Sequence, residues 1–444
     1  MESMSQSLYY DQSMPRAERR ERKIPRPTLL HLFMVFTITN YLFVFLFPRS
    51  SLTTHVDAPD WVFLIKDALS AAFFGYALLR HRKLSRQISS TYRSYLPAFI
   101  VVHLTYTAVS LLHLVQRTDP MMHFREDLKN IVFYSVTALI LPYWIRNRAD
   151  ITQYVRFLIW IGVAEALFCF YNKFVLTDYQ YQGRIFGSLD HYNHTGFFLS
   201  MIVFFVLARI TILRQHSRWL YVVLVICISA IAFTLSVAAM GMLLLYVLML
   251  LWARKGLVTL IRVIAVVLVL FVILLFTGLL DVSIERVKFA FSQESSSVSG
   301  RINSFQEITD YANKANIVEI LIGDFKSREY VMYDSMWEIL IRNNGILPVL
   351  ALAGLFVTIA RLGYKKYRAC LRFGDSEMAS ILFASGSFIL VAVFFSFNIT
   401  AYLSKFPLHF YFYMLLVLIL VANPREATAG VASDRVLGFQ PVNR

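Results

Sequence analysis

Apolar runs of about twenty residues, each closed by a short polar stretch, recur along this chain. A hydrocarbon layer ~30 Å thick takes ~20 helical residues to cross. Inside it, every backbone N–H and C=O must find its partner within the spanning structure. Repeated runs of this length therefore point to a polytopic bundle of membrane helices. An apolar share of 57% against a charged share of 16% is too greasy for a soluble domain of this size.

The spacing predicts an all-α integral membrane protein with twelve spans. They run roughly Thr28–Phe47, Trp61–Leu79, Tyr95–Val115, Ile131–Ile145, Ile151–Tyr171, Asn193–Leu213, Trp219–Leu235, Val237–Trp252, Leu257–Leu280, Ile346–Gly363, Met378–Asn398 and Phe406–Val421. The fourth is short, with Pro142 near its end. The seventh and eighth together are too long for one span and suit a hairpin turning at Ser236. The chain then divides into a basic tail (1–27), a first bundle (28–280), a long polar loop (281–345), three further spans (346–422) and a polar tail (423–444). No internal repeat is visible, which weakens an inverted-repeat transporter.

A net charge of +15 could suggest nucleic acid, but the basic residues cluster in the short loops between spans, as topology signals do. Alternate short segments on one side carry 25 Lys and Arg, and those on the other side carry 7. Both termini are therefore expected in the cytoplasm, with the long loop and the loop around Arg184 on the outer face of a bacterial inner membrane. The basic head from Arg16 to Arg26 lacks a small-residue cleavage site, so the first span is read as retained. Cys169 and Cys227 lie in apolar runs and Cys370 in a basic loop, a placement that suits neither a disulfide nor a zinc site.

The long loop holds most of the groups able to do chemistry. It opens Ser-rich (Ser292 to Ser299), continues Gly300-Arg301, passes Gly323-Asp324 and ends at Asp334-Ser335. Ile302, Phe305, Ile308 and Ala312 recur at helical spacing, so an amphipathic helix is expected to open at Arg301. Ser335 and Glu338 have capping-box spacing for a second helix that stops at Asn343-Asn344-Gly345. The shorter loop reads Gly183-Arg184-Ile185-Phe186-Gly187, then Asp190-His191-Tyr192-Asn193-His194-Thr195-Gly196. Either this is an interfacial loop with anchoring Tyr and Arg, or it is an anion site, because a guanidinium fork and a helix N-terminus both suit phosphate oxygens.

Asp334 and His191 are the candidate bases, set against plain helix capping for Asp334 and loop hydrogen bonding for His191 and His194. Tyr330 and Tyr333 could stack on sugar rings or anchor at the interface. Glu165 lies well inside the fifth span, where a carboxylate is functional by default, although a single buried, paired Glu carries no transport claim. Lys66-Asp67 reads as interfacial pairing and His103 as a packed residue. No Asp-x-Asp, Gly-rich phosphate loop, zinc spacing or nucleophile elbow occurs.

Several features together resemble the O-antigen ligase/polymerase superfamily. They are twelve spans, Gly183-Arg184-x-x-Gly187 before Asn193-x-x-Gly196, the Thr234-Leu235-Ser236 hairpin, and a long outer loop opening Ser299-Gly300-Arg301, with Gly323-Asp324 and Asp334-Ser335 before Gly345. The resemblance spans roughly Tyr154 to Pro348. It implies a GT-C-like, metal-independent glycosyltransferase needing no cofactor, whose donor is an undecaprenyl-diphosphate-linked oligosaccharide. Arg184 and Arg301 then hold the diphosphate, with Asn193, His194, Tyr333, Ser236 and Asp324 lining the substrate. Two departures matter. Val237 stands where many members have Arg, and Asp334 stands where the ligases carry a catalytic His. The second favours a polymerase of O-antigen, capsule or exopolysaccharide repeats over a ligase to lipid A-core. Partners implied are membrane lipid, a chain-length regulator and a flippase. A transporter or flippase, and a structural partner of an export complex, are the readings from other classes.

Overall fold

The structure is a computed structural model. It describes residues 90–115, 148–175, 180–181, 184–185, 187–189, 191–254, 296–324, 336–395 and 408–422, with isolated positions 68, 72, 145, 261, 265 and 269. Apart from those isolated positions, the expected first, second, fourth and ninth spans lie outside the described residues, as do both tails, Asp190, Tyr330, Tyr333, Asp334 and Ser335.

Helices dominate. They are α1 (Ser90–Leu114), α2 (Arg148–Phe174), α3 (Tyr192–Thr211), α4 (Arg218–Thr234), α5 (Val237–Arg254), α6 (Ser296–Lys314), α7 (Ile317–Ile322), α8 (Met336–Asn344), α9 (Ile346–Arg372), α10 (Ser376–Phe395) and α11 (Leu408–Val421). A two-residue antiparallel ribbon, β1 (Gln180–Tyr181) with β2 (Arg184–Ile185), interrupts the run between α2 and α3. Of the described helices, α1, α2, α3, α9 and α10 are long and apolar enough to cross a membrane, and α4, α5 and α11 are shorter apolar helices.

The axis of the bundle is α3. Every residue from Thr195 to Ile210 is buried, as expected of a helix that is apolar on all sides. It is wrapped by α2, α4, α5 and α10. Lipid is as apolar as Leu, so these helices are held by close packing and interhelical hydrogen bonds rather than by escape from water. Gly162 shows how tight the packing is, since a Cβ there would run into the Ile202 side chain of α3. Tyr246 of α5 lies flat on Phe204, with ring centroids 3.7 Å apart, and its hydroxyl donates to the Phe204 carbonyl at 2.7 Å.

Cross-links define two ends. At one, Arg148 of α2 pairs with Asp375 and with Glu377 at the start of α10. Trp252 near the end of α5 meets Tyr364 of α9. Lys366 of α9 donates to the carbonyls of Ile419, Leu420 and Ala422 at the end of α11. We call this the basic end. At the other, His113 of α1 bonds the Ile322 carbonyl, Trp337 of α8 donates to the Val393 carbonyl of α10, and Ser236 donates to Asn193 of α3. We call this the loop end. The described parts of the segments 146–150, 214–218 and 364–376, grouped by their charge, thus share one end, and the described parts of the Arg184 loop and the long loop share the other.

Three expectations are corrected. Helix α9 does not stop at Gly363 but runs to Arg372, so Lys365, Lys366 and Arg368 ride on helix rather than loop. On this extension Lys366 is buried and caps α11, which ties the added turns to the bundle. Helix α6 starts at Ser296, so Arg301 lies inside it instead of opening it and is more than a turn away from the N-terminal end of the dipole. Finally, α7 was not anticipated, although Asn316 and Glu319 form a capping box that announces it.

Candidate functional site

The loop end holds two polar constructions. The first is built around Glu165 of α2. Its carboxylate accepts from the Ser188 hydroxyl and from Thr195 Oγ1 at 3.4 Å, and the backbone amides of Ser188 and Leu189 also point at it. Thr195 Oγ1 in turn accepts from the Gly187 amide at 3.0 Å. A Cβ on Gly187 would overlap the Glu165 carboxylate, so glycine is required there for close approach. One buried carboxylate therefore ties down the segment that follows Arg184, and Ile185, next to Arg184 in β2, is fully buried.

His191 is the N-cap of α3. Its Nδ1 accepts from the Asn193 amide at 3.2 Å, so in the neutral ring Nε2 carries the proton. His194 Nδ1 is 3.3 Å from the Leu189 carbonyl, and the two imidazoles lie 4.9 Å apart. The Tyr192 ring lies tilted against that of His191, with centroids 4.0 Å apart. Residues 191–194 are only half-buried, so they border the surface at this end.

Asn193 extends the cluster. Its Oδ1 accepts from the Ser236 hydroxyl at 2.8 Å, and Ser236 Oγ also accepts from the Ala239 amide. The turn between α4 and α5 depends on Leu235 in the left-handed conformation, φ 53°. Gly196 faces this turn, where a Cβ would come within 2.9–3.2 Å of Ala239, Ser236 and Thr234. The Asn193-x-x-Gly196 and Thr234-x-Ser236 motifs, some forty residues apart in the chain, are thus the two halves of one joint.

The second construction clamps the end of the long loop. Asp324 is buried and its carboxylate pairs with Arg342 of α8 at 3.0 Å, while its amide donates to the Arg342 carbonyl. The Arg342 guanidinium lies 4.0 Å from the ring centroid of Tyr311 in α6. The Tyr311 hydroxyl donates to the Glu319 carbonyl at 2.9 Å. Partial burial pushes that phenol up to about 12; the Asp324 and Glu319 carboxylates add to the shift and Arg342 opposes it. Gly323 (φ 97°) and Gly345 (φ 81°) take conformations open to glycine, and each presses against backbone of the other's segment. Asn344 then reaches α1, donating to the Tyr106 hydroxyl and accepting from Ser110.

Of the residues expected in a site, His191, Asn193, His194 and Ser236 therefore meet in one cluster. Asp324 is at the same end but committed to Arg342. Arg184 is placed on β2 and Arg301 within α6 by their backbones. Missed from sequence were the roles of Glu165, Ser188 and Thr195, and the Asp324–Arg342 pair. The intramembrane carboxylate was the available signal for the first. The second had none, because the partners stand eighteen positions apart with no spacing rule to relate them. Among the described residues no group of three His, Cys, Asp or Glu side chains is placed to hold a metal ion. Comparison with protein families and with curated proteins finds no match to this chain.

Proposed function

We propose that the chain is a polymerase of lipid-linked polysaccharide repeats. It transfers glycan from undecaprenyl diphosphate onto a hydroxyl of another lipid-linked repeat, in a twelve-span, GT-C-like bundle of the bacterial inner membrane. The loop end faces outward. The observation that carries this reading is the joint described above. The motifs behind the resemblance, Gly187, Asn193, Gly196, Thr234 and Ser236, interlock physically at the bundle end that also holds the clamped end of the long loop.

In this mechanism Arg184 and Arg301 grip the donor diphosphate. The acceptor oxygen attacks the anomeric carbon with inversion. The bond from that carbon to the diphosphate breaks, and undecaprenyl diphosphate leaves with the bonding electrons, its growing charge stabilised by the two guanidinium groups. The hydroxyl proton passes to Asp334. His191 offers Nε2–H in its neutral form, so it suits donating a hydrogen bond to a diphosphate or acceptor oxygen better than taking a proton.

The test is purified protein given lipid-linked repeats. Longer chains are expected, with Arg301→Ala slowing elongation ~10²-fold or more. Elongation at the normal rate, with the variant present at normal level, would show the site to be misassigned. Glycan appearing on a lipid core would mark a ligase, and no product in any condition would return the chain to the transporter or structural class.

A further inference from the structure

At the basic end, away from the cluster just described, Arg209 of α3 is buried at 6% relative exposure. Its Nε and Nη2 have no hydrogen-bond partner among the described residues. A guanidinium held out of water without a partner is costly, and proteins keep one when something else completes it. The charged groups acting on it are Arg156 of α2 and Glu377 of α10. Glu377 is already engaged, since its Oε2 takes Arg148 Nη2 at 3.2 Å, while Asp375 takes Nη1 of the same Arg148. Both carboxylates are hydrogen-bonded to Arg148, and of the two charges acting on Arg209 the repulsion from Arg156 exceeds the attraction to Glu377.

A second orphan lies on the same part of α2. Thr152 is buried, and its Oγ1 also has no partner among the described residues. It sits one turn from Arg156 and one turn from Arg148, on the helix face these residues share. One turn further along, Trp160 is 58% exposed and meets the 41% exposed Trp219 of α4 with ring centroids 4.7 Å apart. Exposed Trp pairs of this kind mark the level of lipid headgroups. The site therefore has buried and exposed guanidinium groups, a hydroxyl donor and an aromatic marker at the depth of a membrane surface.

We infer that Arg209, Arg156 and Thr152 form a phosphate site for an anionic lipid headgroup in the leaflet at the basic end. Its ligand is a phosphate diester whose oxygens take the Arg209 Nε–H and Nη2–H and the Thr152 hydroxyl. Arg156 closes the site from the lipid side, and the acyl chains lie along Trp160 and Trp219. Occupancy relieves the repulsion between the two Arg and fills the donors that have no partner among the described residues. This inference does not rest on the polymerase reading, because it concerns the other end of the bundle.

The experiment uses the full chain, purified in neutral detergent. Native mass spectrometry and thermal shift are read against phosphatidylglycerol, phosphatidylcholine and inorganic phosphate. Saturable binding and stabilisation are expected with phosphatidylglycerol and not with phosphatidylcholine. Arg156→Gln, on an exposed position and therefore safe for folding, should weaken that binding about fivefold or more. Thr152→Val should weaken it to a lesser degree. Arg372→Gln, an exposed charge loss in α9 at the same end, should leave it unchanged. Competition by millimolar phosphate supports the site and assigns its specificity to the phosphate alone, whereas lipid binding immune to phosphate supports it and assigns specificity to the whole lipid. Equal binding of the two lipids, or equal weakening by Arg156→Gln and Arg372→Gln, overturns the inference, because diffuse charge would then explain everything.

Discussion

At the scale of single residues, Glu165 acts as an anchor. Its oxygens serve hydroxyl and backbone donors of Ser188, Leu189 and Thr195 in the chain after Arg184. Glu165→Ala should therefore cost about 1–3 kcal/mol, the penalty for leaving buried donors unmet. A lowered thermal midpoint in detergent checks it. Loss of polymer output at an unchanged midpoint would instead make Glu165 part of the chemistry. Gly187→Ala tests the same joint from the other side. Its methyl group must displace the carboxylate, so a loss of about 1–3 kcal/mol is expected, as for overpacking elsewhere. Ser236 and Asn193 depend on each other in the same way across the α4–α5 turn.

At the scale of elements, two helices end on borrowed partners. Helix α11 leaves carbonyls open at its C-terminus, and Lys366 of α9 supplies donors to three of them. Lys366→Met keeps the stem and removes the donors, so about 1.5–3 kcal/mol should be lost, with α11 the first helix to gain amide exchange. The long-loop clamp relies on Asp324, Arg342 and Tyr311. Tyr311 has its folded-state value raised to about 12 from 10, so it favours the neutral phenol. The stability it contributes is full below pH 10 and is lost as pH rises from 10 towards 12. A Tyr311→Phe variant should lose the hydroxyl bond to Glu319 at every pH. It should also show a smaller fall in stability than the parent across that alkaline window, measured by thermal shift on both proteins.

At the scale of the whole molecule, the proposed reaction requires two loops to act on one ligand. Arg184 lies in a ribbon strand packed against α2 and α4, while Arg301 lies in α6, some ten residues (~15 Å of helix) before the Tyr311 contact with α8. If both hold one diphosphate, the double variant Arg184→Ala/Arg301→Ala should elongate little more slowly than the worse single variant, since groups that act as a unit are strongly non-additive. Purely multiplicative losses in a repeat-elongation assay would mean two separate sites.

Residue order alone determined the membrane class, the helical hairpin at Ser236, the basic end and the motifs that carry the resemblance. These follow from local rules: apolar length against bilayer thickness, loop charge, and turn residues. Only the tertiary structure decided that Glu165 serves the Arg184 loop, that Asp324 belongs to Arg342, that Lys366 of the extended α9 caps α11, and that Arg209 Nε and Nη2 find no hydrogen-bond partner among the described residues. Each of these is a contact between segments that sequence spacing does not relate. The extension of α9 shows why: nothing in Tyr364-Lys365-Lys366 distinguishes a basic loop from a helix, and the partners of Lys366 are three carbonyls at the end of a helix more than fifty residues away. Backbone satisfaction inside an apolar bundle is a property of neighbours in space, and a one-dimensional pattern records only neighbours along the chain.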